Sequence, residues 1–250
     1  MERPRITARH RPLAEWTIFN VLVRGALRRH FARVLVRADG PLPDPAGGPV
    51  IAYANHPSWW DGYLAYAVDR LVLRDRFRGY VMVDERQLAR YPFFRWVGAF
   101  SVDLGAPRSA AASVAYAADE LAAAPGRMLW IFPQGELQPQ DRRPIRVARG
   151  APAVARRAGG ATLWPVALRY EFGDRQRPDA LIRLGVPHAV GPADDPATVS
   201  ADMASRLTSL VDGLSTDVAA GRLDAYRVLL RGRPGVNERF DRLRGRAEPS

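Results

Sequence analysis

Neither cysteine nor lysine occurs in this chain of 250 residues. The absence of cysteine excludes disulfides, thiolate metal sites and a cysteine acyl-enzyme, and it fits a reducing cytoplasm. The absence of lysine makes all 37 basic residues arginine. Histidine is scarce, and His10, His30 and His188 stand at no ligand spacing from His56, so no metal site is expected. There is no G-x-S-x-G turn, hence no serine nucleophile of that kind. No run of about 18 uncharged apolar residues occurs, so no helix is expected to span a bilayer. The first residues hold Arg and Pro rather than an apolar core, so no signal peptide is expected.

What the chain has in excess is positive charge, +11 net, beside 47% hydrophobic residues. The apolar content suffices for one globular domain. The charge favours anionic partners: nucleic acid, an anionic membrane face, the phosphates of coenzyme A, or an acidic acyl carrier protein. A non-catalytic basic module that binds membrane or nucleic acid is one reading of this composition. Against it, the arginines are dispersed and no recognition-helix pattern appears, so no nucleic acid is expected.

The most informative stretch is Asn55-His56-Pro57-Ser58-Trp59-Trp60-Asp61. An apolar run, residues 49–54, reads as a buried strand before it, and residues 62–68 read as the start of a helix. In an open α/β sheet ligands bind at such strand-to-helix turns. Asp61, five positions after His56, can fold back to one ring nitrogen. That bond would fix the tautomer and free the other nitrogen as a general base. An Asp before a helix is ordinarily an N-cap, so the pair needs further support. A second apolar strand, residues 128–132, runs into Phe132-Pro133-Gln134-Gly135, and a third carries Trp164-Pro165-Val166.

This ordered set resembles the glycerophospholipid and lysophospholipid acyltransferase superfamily over residues 45–190. The matches are Asn55-His56 with Asp61, Gly98-Ala99-Phe100, Phe132-Pro133-Gln134-Gly135 and Trp164-Pro165-Val166. The resemblance implies acyl transfer from an acyl thioester, acyl-CoA or acyl carrier protein, to a lipid hydroxyl, with no permanently bound cofactor. His56 is then the base and Asp61 its orienting partner. Asn55 holds the turn, and Pro165 lies on the family's fourth motif. Backbone amides around Pro133, Gln134 and Gly135 are candidates for the oxyanion site, and Arg108, Arg146 and Arg149 for anion contacts. The sequence departs from the family at Gln134, usually Glu, at Glu136 and Leu137, usually Thr-Arg, and at Leu104, often Arg. Losing two arginines removes bidentate phosphate contacts, so the chemistry carries over better than a phosphate-bearing acceptor. Trp59 and Trp60 resemble the branch that acylates glycosylated carotenoids, where they would stack on a sugar or line an apolar path; packing in the core is the alternative.

Strands and helices alternate, which predicts an α/β domain with a mostly parallel central sheet flanked by helices over residues 39–230. Residues 1–38 read as an N-terminal amphipathic element. In its helix, residues 13–37, Trp16, Phe19, Val23, Leu27, Phe31 and Val34 recur at steps of three and four. That face can lie on a membrane or pack on the domain, or do both if Trp16 and Phe19 enter lipid. Residues 196–221 read as a long helix with a turn or two more over 223–230, and residues 231–250 as an Arg-rich polar tail. A peripheral position on the cytoplasmic face of an anionic membrane is the expectation.

Overall fold

The computed structural model describes residues 3–173 and 175–233. Its N-terminal segment is α1, Pro12–Thr17, a π-helical stretch Ile18–Val23, and α2, Arg24–His30. The predicted helix stops there. Phe31 turns extended (φ −113°, ψ 145°), and β1, Arg33–Ala38, enters the sheet instead. Val34, Leu35 and Val36 are all buried, as a strand covered on both faces requires. The spacing of three between Phe31 and Val34 fits a helix, but Val34-Leu35-Val36 is a continuous apolar run whose two valines favour a strand buried on both faces. Phe19 is buried at 4% exposure, so it packs on the domain rather than entering lipid. Trp16, by contrast, is 58% exposed, alongside Leu13 and Val21.

The chain then runs through β2, Val50–Ala54; α3, Asp61–Ala67, with a π-helical continuation Val68–Val72; β3, Arg78–Asp84; α4, Glu85–Arg90; and β4, Ala99–Val102. Next come α5, Pro107–Ala122; β5, Arg127–Ile131; α6, Gly150–Arg157; β6, Ala161–Glu171; and β7, Asp179–Leu184. The last elements are β8, His188–Val190; α7, Pro196–Ala219; and β9, Arg227–Arg231. The order across the sheet is β4-β3-β5-β2-β6-β7-β1-β9, with β8 beside β6. The pairs β1–β7, β2–β5, β2–β6, β3–β4 and β3–β5 are parallel, and only those involving β8, β9 or β6–β7 are antiparallel.

Two expectations near the C-terminus are corrected. Within residues 223–230, read as helical turns, the chain instead enters β9, which runs to Arg231 antiparallel to β1 and covers what would otherwise be an open sheet edge. The turn-rich connection before α7 contains the short strand β8, paired to Ala161–Leu163 of β6. Most of the expected Arg-rich tail, residues 234–250, lies outside the described residues.

Alternation along the strands builds two cores. Val50, Ala52, Ala54, Met128 and Trp130 face one layer with Leu64 and Val68 of the α3 region. Ile51, Tyr53, Leu129 and Ile131 face the other, against α5, α6 and α7 residues such as Leu121, Val154 and Leu207. With helices on both faces, the sheet exposes only its edges. The C-terminal edge, where β2 and β5 end, is where polar residues can gather without interrupting either core.

Candidate active site

Strand register places the site. Tyr53 pairs with Ile131 in parallel strands, so β2 and β5 leave the sheet side by side at the same edge. The residues that follow meet at once. The His56 ring stacks on Phe132, centroids 4.4 Å apart and planes at 20°. The His56 backbone N–H donates to Gln134 Oε1 at 2.7 Å. The Gln138 N–H donates to the His56 carbonyl at 2.9 Å, and Gln134 Nε2 donates to Gln138 Oε1 at 2.7 Å. Gln138 Nε2 continues the chain to Glu136 Oε1 at 3.2 Å. The loop after Phe132 is thus fastened to the turn after β2 by neutral amides.

Asp61 orients the imidazole. It opens α3 and is fully buried. Its Oδ2 lies 2.6 Å from His56 Nδ1 and accepts the Ser58 N–H at 2.9 Å. Its Oδ1 accepts from the Tyr170 hydroxyl at 2.5 Å. Burial pushes the Asp61 carboxyl above its usual range, and the bonds from His56, Tyr170 and Ser58 oppose that rise. Burial, and then the Asp61 charge, hold the Tyr170 phenol well above its ordinary value, so it donates throughout the physiological range. With Nδ1 against a carboxylate, the neutral ring carries its hydrogen there and Nε2 is the basic nitrogen. The His56 side chain retains 24% exposure. Beside it opens a small hollow lined by Asn55, Gln134, Gln138, Gln140 and Arg142.

The other sequence-predicted residues divide into those the fold brings here and those it does not. Asn55 anchors the turn through Leu168. Trp59 is 46% exposed, edge-on to Trp60 at 5.4 Å. Trp60 packs against Phe31 and His30, so it is a packing residue and Trp59 is the open one. Pro133 has no amide hydrogen, and the Gly135 N–H is engaged by the Phe132 carbonyl at 3.1 Å. Within Pro133–Gly135, the Gln134 N–H is then the amide without a partner among the described residues. Gly135, at φ +76°, makes the turn possible. Arg108 in the first turn of α5, and Arg146 and Arg149 before α6, are exposed and do not line this hollow.

Three predicted residues lie elsewhere. Phe100 on β4 is fully buried against Tyr116, three strands from β2, about 14 Å away at ordinary strand spacing. Gly98, at φ +95°, packs against the Gly79 carbonyl, where a Cβ would approach to 2.1 Å. Pro165 is buried inside β6 opposite Tyr53. These shape the sheet and do not line the hollow. The sequence reading in turn missed Ser58, Gln138, Gln140 and Tyr170. The three closely spaced glutamines after Phe132 were a usable signal. Tyr170, 109 positions from Asp61, had none.

A larger recess, about 380 Å³, opens near the far end of α3 among His10, Glu15, Tyr66, Asp69, Arg70 and Arg78. It does not include His56. Among the described residues there is no group of three or more potential metal ligands, and no helix is long and apolar enough to cross a membrane.

A buried carboxylate thus stands behind a partly exposed imidazole at a strand-to-helix turn. The chain belongs to the acyltransferase family, whose model matches residues 33–169, from β1 through most of β6. Among solved structures, its fold is similar to that of PlsC, the 1-acyl-sn-glycerophosphate (LPA) acyltransferase of Thermotoga maritima, with a TM-score of 0.53, 16% identity and 73% of each chain covered. The comparison with curated proteins gives no match.

Proposed function

We propose that the protein moves a fatty acyl group from an acyl thioester, acyl-CoA or acyl carrier protein, to a hydroxyl of a lipid acceptor such as a lysophospholipid. The observation that carries this reading is the 2.6 Å contact of His56 Nδ1 with the buried Asp61 carboxylate. Nε2 takes the acceptor's hydroxyl proton, and the oxygen attacks the thioester carbonyl. The tetrahedral oxyanion is met by the Gln134 N–H. When the C–S bond breaks, the imidazolium returns the proton to the leaving thiolate. Arg108, Arg142, Arg146 and Arg149 supply positive charge for the donor's phosphates or for an acidic carrier protein.

The second reading, a neutral glycolipid or glycosylated carotenoid as acceptor, has an observation of its own. At the position where the family usually carries Glu, Gln134 is committed to fastening the loop, and the open ring of Trp59 stands on the same turn as His56. Thioester consumption with each acceptor separates the two. Turnover with either, abolished by His56→Ala in a protein that still melts cooperatively, is the expected result; turnover with neither defeats both. The N-terminal segment, with Leu13, Trp16 and Val21 exposed beside Arg24, Arg28 and Arg29, is proposed to rest on anionic membrane. Flotation with vesicles rich in anionic lipid should weaken on Trp16→Ser.

A further inference from the structure

We propose that Tyr170 is a positioning residue for His56: by holding the far oxygen of Asp61, its hydroxyl sets how strongly the carboxylate draws on the imidazole. The kinetic part of this proposal rests on the acyl-transfer reading above; the structural part does not.

Asp61 is sealed from water at 0% exposure, so protein donors must satisfy it. Two of them, His56 and Ser58, reach Oδ2. Among the described residues, Tyr170 is the one donor on Oδ1, at 2.5 Å. Its placement is itself controlled. The Tyr170 N–H donates to Gln140 Oε1 at 3.1 Å and the Tyr170 carbonyl accepts from Gln140 Nε2 at 3.2 Å. The Tyr170 ring stacks on Phe31 at 5.6 Å. Gln140 also lines the hollow beside His56, so the loop packed beside the imidazole also grips the strand that carries the phenol.

The other titratable or charged groups near the pair sit differently. Arg142 and Arg143 line the hollow, with Arg143 tied to Asp212. Glu136 reaches the site only through Gln138, and His30 lies against Trp60. None of them bonds Oδ1.

The electrostatic consequence has a definite sign. With neutral His56, the pair carries one net negative charge inside the protein; with protonated His56 it carries none. A donor on Oδ1 stabilises the charged form more. Removing that donor therefore favours protonation of the ring, and the base is occupied by a proton at higher pH.

The test is Tyr170→Phe in the full chain, followed by ¹⁵N NMR titration of the His56 ring. That measurement needs no substrate. The expected result is a midpoint moved upward by about one pH unit. The acid limb of kcat/KM should move with it, giving up to about a tenfold loss on that limb and recovery above it. A folded variant whose His56 titration is unmoved, with activity lowered equally at every pH, assigns Tyr170 to packing alone and overturns the proposal. If Tyr170→Phe does not fold, a change in the strength of the same hydroxyl replaces its removal. The decisive arm is then the intact fold with 3-fluorotyrosine at position 170, which keeps the ring and makes its hydroxyl a stronger donor to Asp61: the His56 midpoint should move downward, and an unmoved midpoint overturns the proposal. A shifted titration in a protein that transfers no acyl group would refute the acyl-transfer reading and leave the coupling standing.

Discussion

Asn55 exchanges two hydrogen bonds with the backbone of Leu168: its Nδ2 donates to the Leu168 carbonyl at 2.9 Å, and its Oδ1 accepts the Leu168 N–H at 2.8 Å. The last ladder pair between β2 and β6 is Ala54 with Val166. The side-chain amide of Asn55 thus stands in for the next rung after the backbone has turned away. This lets β2 stop, and His56 swing out, without stranding buried peptide groups.

Asn55→Ala should therefore be costly although it removes little apolar surface. Two buried backbone groups lose their partners, at about 1–3 kcal/mol each. A loss of about 2–6 kcal/mol in urea unfolding is expected. A change of under about half a kcal/mol would mean that water replaces the amide at no cost.

Asp61→Asn isolates charge from geometry. An amide oxygen in the place of Oδ2 still accepts from His56 and Ser58, and the amide nitrogen can donate to the Tyr170 oxygen, which accepts as readily as it donates. The fold and the tautomer should survive, but the imidazolium loses its counter-charge. Turnover should fall by about 10²–10⁴, and the acid limb of kcat/KM should move to lower pH, opposite to Tyr170→Phe. An acid limb that stays in place would show that the carboxylate acts on orientation alone.

Much of this architecture could be read from local pattern. The run Val50–Ala54 is buried on both faces and ends at Asn55-His56-Pro57, so strand, turn and the candidate His56 were all visible in one stretch. The same holds for Arg127–Ile131 and the turn after Phe132. What local pattern could not supply was the order of strands. Nothing in the residues of β4 says that two strands separate it from β2, and so Gly98 and Phe100 were grouped with a site they do not reach. β1 and β9 escaped for a related reason. Each is a five- or six-residue apolar segment whose spacing satisfies a helix, and only its pairing partner makes it a strand. Tyr170 needed both kinds of information, since its role depends on a register that brings the end of β6 over the start of α3.

Gln134→Glu tests whether the loop after Phe132 depends on a neutral amide. A carboxylate still accepts the His56 N–H but has no hydrogen for Gln138 Oε1. If Gln138 turns its amide to compensate, it abandons Glu136. One hydrogen bond is lost either way, about 0.5–1.5 kcal/mol. The variant's melting temperature should lie below that of the wild type at neutral pH. The gap should narrow as acid protonates the new carboxyl, below about pH 4. A gap that is constant with pH would point to shape rather than charge.

A carboxyl away from the candidate site links the fold to pH. Asp69 lies on the π-helical stretch after α3, and its Oδ1 accepts from the Trp130 indole N–H at 2.8 Å. Burial is the main reason its carboxyl is pushed up to about 7, with the Trp130 bond opposing. The folded protein then keeps a proton that the unfolded chain releases near pH 4. Linkage fixes the sign: the stabilisation is complete below about pH 4 and is lost as pH rises through 7. Asp69→Asn keeps an acceptor for Trp130 and abolishes the titration. Its stability relative to the wild type should therefore improve between about pH 4 and 7, by no more than about 4 kcal/mol. Urea midpoints at the two ends of that window measure this, and parallel profiles for the two proteins would show that Asp69 ionises as freely in the fold as outside it.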